Sequence, residues 1–295
     1  MIDNLKQLPR HQKLLPCVHQ VERLIMNALY EDIGSGDVTT SSIVSESHRS
    51  TATIISKDEF ILAGIPFAEM TFKILDSKIR FDAKKTDGGK VKRGDIIAVI
   101  NGRTRSLLMA ERTALNILQR LSGVATLTHR YVERIKGLHV RIVDTRKTIP
   151  GLRFLDKYAV RVGGGSNHRF GLYDGILIKD NHIAVAGGIK DAVRLARANA
   201  HHLLRIEVEA KNLDEVKDAI KAGVDVIMLD NMKLKDIKKA VDFIRKRSDI
   251  KIEASGGVGL DNIRQIAETG VDYISIGAIT HSATSPDISM EIEAL

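Results

Sequence analysis

The chain has 295 residues, 43% hydrophobic and 28% charged, a composition that suits one large globular domain or two modest ones and excludes a disordered chain. Lys and Arg (45) outnumber Asp and Glu (37), for a formal net charge of +8. With 4% aromatic residues and no Trp, stacking platforms for single-stranded nucleic acid are scarce. The single cysteine, Cys17, excludes an intrachain disulfide framework and points to a reducing compartment, and no run nears the ~18 apolar residues of a membrane span.

The opening MIDNLKQLPRHQKLLP lacks the apolar core of a signal peptide, so a cytoplasmic protein is expected. GSGD at Gly34 to Asp37 is a weak glycine signal, and no Walker-A or dinucleotide fingerprint appears. TATIISKDEFILAGI and KTDGGKVKRGDIIAVINGRTRS read as short antiparallel strands with Gly-Gly and Arg-Gly-Asp turns, and IPFAEMTFKILDS between them has helical spacing. LLMAERTALNILQRLSGVATLTHRYVERIKG reads as a long helical stretch interrupted at Gly123. An α+β domain is therefore expected over residues 1–115, joined to the second half of the chain without a low-complexity linker.

From residue 116 to 280 one theme repeats. The β-rich runs HVRIVDTRK, GILIKDN, LRIEVEA, DVIMLDN, KIEASGG and YISIGAI each end in polar or glycine residues and alternate with helical patterns. Asn212 with Glu215 forms a capping-box pattern closed by Gly223, and Asp261 opens another helix that ends at Gly270. Polar groups at every strand end favour a βα-barrel over an open sheet, whose site would collect at one switch point. The expected fold class is thus α/β, an incomplete βα-barrel behind the α+β domain, with residues 281–295 returning to the first domain as a strand. Much of the basic charge, as in KLKDIKKAVDFIRKR, falls on amphipathic helices as a solvated face, so neither nucleic acid nor membrane is expected as a partner.

Three cationic clusters follow successive strands: Arg146 and Lys147; His168 and Arg169; Lys179 and His182. Arginine forks bind carboxylate or phosphate bidentately and lysine acts as a mobile point charge, so the clusters point to a small substrate with several negative charges. Period-2 alternation in LRIEVEA puts Glu207 and Glu209 on one side, with Glu209 nearer the strand end, and Asp230 ends DVIMLD at the same mouth. These carboxylates either bind ribose hydroxyls or Mg²⁺, oppose a developing cation, or form structural ion pairs with Lys179 or Arg146. Ser255, Gly256, Gly257 and Gly277 end the last two strands, where backbone N–H groups can approach a phosphate or simply turn the chain. His168, Asp180 and His182 lack the spacing of a zinc motif.

In that order, EDIGSGDVTT, ERTALNILQRLSGVAT, DTRKTIPGLR, KYAVRVGGGSNHR, LYDGILIKDNHI, IEVEA, LDN, EASGG and YISIGAITHSA closely resemble the quinolinate phosphoribosyltransferases over nearly the whole length. The resemblance implies an N-terminal sandwich domain and an incomplete barrel. It also implies a homodimer with shared active sites, with higher assembly left open. It implies Mg²⁺-dependent joining of quinolinate to phosphoribosyl pyrophosphate, with release of pyrophosphate and CO₂, to give nicotinate mononucleotide for NAD synthesis. Carried over by motif, Arg146, Arg169 and Lys179 would hold the quinolinate carboxylates, with Arg112 reaching in from the second subunit. Lys147 and His168 would line the pocket. Glu209 and Asp230 would serve the ribose and Mg²⁺, and Ser255, Gly256, Gly257 and Gly277 the 5′-phosphate. Lys147, Lys179, Glu209 and Asp230 are the expected catalytic set. The chain departs from the pattern at Thr148-Ile149, where Thr-Thr is frequent, and at Val258-Gly259-Leu260, where a threonine is common. A paralogue with another anionic substrate, or a noncatalytic phosphate-binding protein, would share the basic charge; the second would not need Glu209 and Asp230 at the same mouth.

Overall fold

The computed structural model describes residues 18–294; Cys17 and the opening segment MIDNLKQLPRHQKLLP lie outside the described residues. The strands are β1 (Arg49–Ser56), β2 (Phe60–Ile61), β3 (Arg80–Ala83), β4 (Lys90–Val91), β5 (Ile96–Arg103), β6 (Arg141–Val143), β7 (Ile176–Ile178), β8 (Ile206–Ala210), β9 (Val226–Asp230), β10 (Lys251–Ser255), β11 (Tyr273–Ser275) and β12 (Ile288–Ala294). They fall into two compact units, one running to His129 with Ile149–Gly164 and the segment from Ser282, the other comprising Arg130–Thr148 and Gly165–His281.

The first unit is α+β. Strands β12, β1, β5 and β3 form an antiparallel sheet in that order, and β2 pairs with β4. Alternation along β1 buries Ala52 and Ile54, which join Phe72, Ile100, Leu107 and Leu118 in one core. Asp87 caps the helix Ile65–Leu75 from outside it, accepting from the N–H groups of Gly64 (2.7 Å) and Ile65 (3.0 Å). The GSGD turn is structural: Gly34 and Gly36 take positive φ, and Asp37 caps Val38–Ile43 by accepting from Thr40 N–H (2.9 Å). This short helix and Val18–Ile33 before it had no counterpart in the sequence reading.

Gly123 does not interrupt its helix, which runs unbroken over Thr104–Arg134. A Cβ there would lie 2.5 Å from the Thr284 carbonyl oxygen, so the glycine allows close backbone packing instead. Residues 149–164 group with this unit although they lie between barrel strands in sequence. Arg120 Nε and Nη2 donate to the two oxygens of fully buried Asp156, each at 3.0 Å, and Tyr158 donates to Asp87 at 2.6 Å.

The second unit is an incomplete barrel, a six-stranded sheet in the order β6, β11, β10, β9, β8, β7 with every neighbouring pair parallel. Strands β6 and β7 are its edges, and a single bridge from Val143 to Ser166 extends the chain beyond β6. Asn212 caps Leu213–Ala222 by accepting from Asp214 (3.1 Å) and Glu215 (2.9 Å), and Gly223 ends it at φ 71°. The other helix-start assignment needs correcting. Ile263–Ala267 begins after Asn262, whose Oδ1 accepts from Gly259 N–H (2.9 Å), so Asp261 is not the cap.

Candidate active site

Parallel register fixes which side chains share the barrel interior. Glu209 and Glu253 both lie opposite Met228, and Asp230 lies opposite Ser255, so these residues face the same side; Glu207, two residues before Glu209, joins them. Glu207, Glu209 and Glu253 are buried and Asp230 is half-buried at the C-terminal rim.

Lys179 and Glu209 form an ion pair, Nζ to Oε1, so the structural pairing with Lys179 is present. Lys179 also precedes the helix Asp180–Ala186, and its N–H donates to His182 Nδ1 (2.9 Å), which gives His182 a local role at the helix start. Arg169 is half-buried, and its Nη1 donates to the Gly175 carbonyl (2.8 Å). Burial and then the Arg146 guanidinium pull its pKa below the ordinary arginine value, while Glu207, Asp174 and Glu209 pull the other way. The Arg146 cation therefore acts electrostatically on Arg169.

Lys147 and Gly277 are also brought together. Thr280 Oγ1 donates to the Lys147 carbonyl (2.8 Å), and a Cβ on Gly277 would lie 2.8 Å from Lys147 Cδ. At the β9 and β10 ends, Asn231 is the only non-glycine with positive φ (54°) among the described residues. Its N–H donates to the Ser255 carbonyl (2.9 Å) and its Nδ2 to Asp230 Oδ2 (2.9 Å). Ser255, Gly256 and Gly257 line a pocket of about 240 Å³ with Asn231, Asn262 and Gln265. Arg112 lies exposed on the Thr104–Arg134 helix of the first unit.

The sequence reading missed one cluster. His168 Nε2 lies 3.0 Å from Glu207 Oε2 and 3.7 Å from Glu253 Oε2. Above it, fully buried Asp144 accepts from Asn167 Nδ2 (2.6 Å) and His168 N–H (2.9 Å). Burial, and next the Glu207 carboxylate, push the Glu253 pKa up to about 8, with His168 acting against them. The period-2 place of Glu253 in KIEAS was the available signal.

Hard carboxylate oxygens are what Mg²⁺ takes, and Glu209 and Asp230 offer them from adjacent strands on one face. One oxygen of each is engaged, by Lys179 and by Asn231, so these residues fit an ion completed by water or phosphate oxygens.

The family described as "Quinolinate phosphoribosyl transferase, C-terminal domain" matches residues 124–291, and its N-terminal counterpart matches residues 37–122. A probable carboxylating nicotinate-nucleotide pyrophosphorylase of Bacillus subtilis is 45% identical over 273 residues, 92% of this chain and 93% of the relative. Its counterpart in Synechocystis is 44% identical over 285 residues, 96% of each chain. The crystal structure of NadC from Streptococcus pyogenes superposes with a TM-score of 0.91 at 41% identity, covering 95% of this chain and 99% of that one. The nicotinate-nucleotide pyrophosphorylase structure from Francisella tularensis gives 0.89 at 42% identity, with 97% and 100% covered.

Proposed function

This chain belongs to the quinolinate phosphoribosyl transferase family, and from that premise we propose that it joins quinolinate to phosphoribosyl pyrophosphate and forms nicotinate mononucleotide, pyrophosphate and CO₂ for NAD synthesis. The feature that carries the substrate is the set of cations Arg146, Arg169 and Lys179, with Arg146 acting electrostatically on half-buried Arg169 and Lys179 paired to buried Glu209, since several cations suit a dianion. Arg146, Arg169 and Lys179 hold the two carboxylates, and Lys147 and His168 belong to the same neighbourhood. Arg112 completes the pocket from a second subunit in a homodimer. Ser255, Gly256, Gly257 and Gly277 receive the 5′-phosphate. The single cysteine supports a reducing compartment such as the cytoplasm; among the described residues no helix is long and apolar enough to cross a membrane.

Pyrophosphate departure from C1 leaves cationic character on the ribose, and the Glu209 and Asp230 carboxylates stabilise it electrostatically. Mg²⁺ bound at Glu209 and Asp230 would neutralise the pyrophosphate leaving group. Once the ring nitrogen has bonded to C1 it is cationic. The adjacent C–CO₂ bond can then break with its electron pair held on the ring carbon, and Lys147 or Lys179 supplies the proton that replaces CO₂.

The test incubates the purified protein with quinolinate, phosphoribosyl pyrophosphate and Mg²⁺, with nicotinate as the parallel substrate. Nicotinate mononucleotide and CO₂ in equal amounts are expected from quinolinate. Turnover of nicotinate alone, or of neither, refutes the proposal.

A further inference from the structure

Glu207 has no role in the chemistry above, yet it is buried at the centre of the barrel against His168. The three groups His168, Glu207 and Glu253 lie within 4.8 Å of one another, a spacing that suits a metal ion, but the other ring nitrogen argues against one. A histidine that ligates through Nε2 keeps its proton on Nδ1 and donates it to an outer partner. Here the Arg169 backbone N–H points at Nδ1 and donates to it at 2.8 Å. Nδ1 therefore presents a lone pair, the proton sits on Nε2, and its acceptor is Glu207 Oε2 at 3.0 Å.

We infer that Glu207 is a positioning residue. By accepting the Nε2 proton of His168 it fixes the imidazole in one tautomer, and the ring in turn holds the Arg169 backbone and so aims the Arg169 guanidinium. The rest of the segment is fastened in the same sense. Asp144 takes Asn167 Nδ2 and His168 N–H, and the Arg169 guanidinium is steadied on the Gly175 carbonyl. The chain from the barrel interior to the substrate-binding cation is thus carboxylate, imidazole, amide, guanidinium, the first two links hydrogen bonds and the last the covalent side chain of Arg169. His168 then acts on quinolinate through Arg169, because both of its ring nitrogens are occupied by the protein. The inference rests on the quinolinate reading for Arg169.

The test has two arms on the full-length protein. In the first, ¹⁵N-histidine NMR of the unliganded protein, with His168 assigned through His168→Asn, is expected to show an unprotonated Nδ1 and a protonated Nε2 that exchanges slowly. Glu207→Ala should abolish that single-tautomer signature. In the second, Glu207→Ala should raise the KM for quinolinate about tenfold or more, as expected for a lost charge-assisted hydrogen bond, and change the KM for phosphoribosyl pyrophosphate far less. Glu207→Gln keeps an acceptor while removing a negative charge, and should bring the quinolinate KM back to the wild-type value or below it. If Glu207→Ala fails to fold, His168→Gln, with a donor but no ring, should give the same selective rise in quinolinate KM. An Nδ1-protonated or doubly protonated His168, stoichiometric binding of added Mn²⁺ or Zn²⁺ that Glu207→Gln removes, or equal KM shifts for both substrates would overturn the inference. Absence of wild-type turnover would sink the proposed function alone, since the NMR arm needs no substrate.

Discussion

Gly256→Ala should damage the molecule through Asn231, and by an amount the geometry sets. Gly256 sits at φ 84°, where an alanine costs roughly 1–2 kcal/mol. Its new Cβ would lie 2.1 Å from Asn231 Oδ1 and 2.9 Å from Nδ2, so the whole amide has to move. Asn231 has little room to yield, because its φ of 54° and its N–H bond to Ser255 hold its backbone. Movement breaks the Nδ2 bond to the Asp230 carboxylate, worth about 1.5–3 kcal/mol for a charged acceptor. The combined loss, about 2.5–5 kcal/mol, should appear in denaturant unfolding. In two-substrate kinetics the KM for phosphoribosyl pyrophosphate should rise more than that for quinolinate, because Asp230 loses its anchor. Asn231→Gly accepts the left-handed backbone and removes the obstructing amide. The double variant should therefore be less destabilised than the sum of the singles by about 1 kcal/mol or more. Strict additivity, or wild-type stability in Gly256→Ala, would refute the interlock.

Asp156→Ala should cost about 3–5 kcal/mol by leaving Arg120 without its buried bidentate partner, and adding Arg120→Leu should recover part of it, both read by chemical denaturation. Glu253 is shifted from 4.5 up to about 8, so the folded form holds a proton there that the unfolded chain releases. That contribution is fully present below pH 4.5 and is lost as pH rises through 8. Glu253→Gln should flatten this fall, gaining on the wild type by at most about 5 kcal/mol between pH 5 and 9, and parallel pH profiles would contradict the shift. Arg146→Ala should fold normally and weaken productive quinolinate binding by about 30-fold to several-thousand-fold, whereas Asp230→Ala should chiefly impair use of phosphoribosyl pyrophosphate. The reverse division in steady-state kinetics would undo the assignment of roles.

The barrel was legible because its signals are local. Each run carries β-branched residues, a polar terminus and a helix start, and Asn212 with Gly223 marks one helix at both ends. Arg146, Lys147 and Lys179 were readable for the same reason, since they closely follow β6 and β7, whereas His168 and Arg169 lie in the loop before β7, after no more than a single bridge at Ser166. What escaped depends on partners far away in sequence. Gly123 read as a break because a glycine weakens an isolated helix, whereas the Thr284 carbonyl that demands it lies more than a hundred residues on. Glu253 was overlooked because KIEAS gives its face but not its neighbours, and only the register with β9, together with the His168 loop, brings it beside Glu207.

That same register sets carboxylates beneath the cations that the proposed function assigns to a dianion. Arg169 is disfavoured as a cation by burial and by Arg146, and among the groups that offset this are Glu207 and Glu209 beneath the mouth. Glu209 also holds Lys179. On that assignment the interior carboxylates offset part of the cationic charge from within the barrel. The balance separates their tasks. Glu209, at the strand end, can exchange Lys179 for a ligand, whereas Glu207, one layer deeper and fastened to His168, has no such exchange open to it. A charge-neutral replacement at Glu207 should accordingly increase the repulsion between Arg146 and Arg169 in the free protein and relax when quinolinate binds. Glu207→Gln is then expected to gain more thermal stability from saturating quinolinate than the wild type does, and an equal or smaller gain would show that Glu207 contributes hydrogen bonding alone.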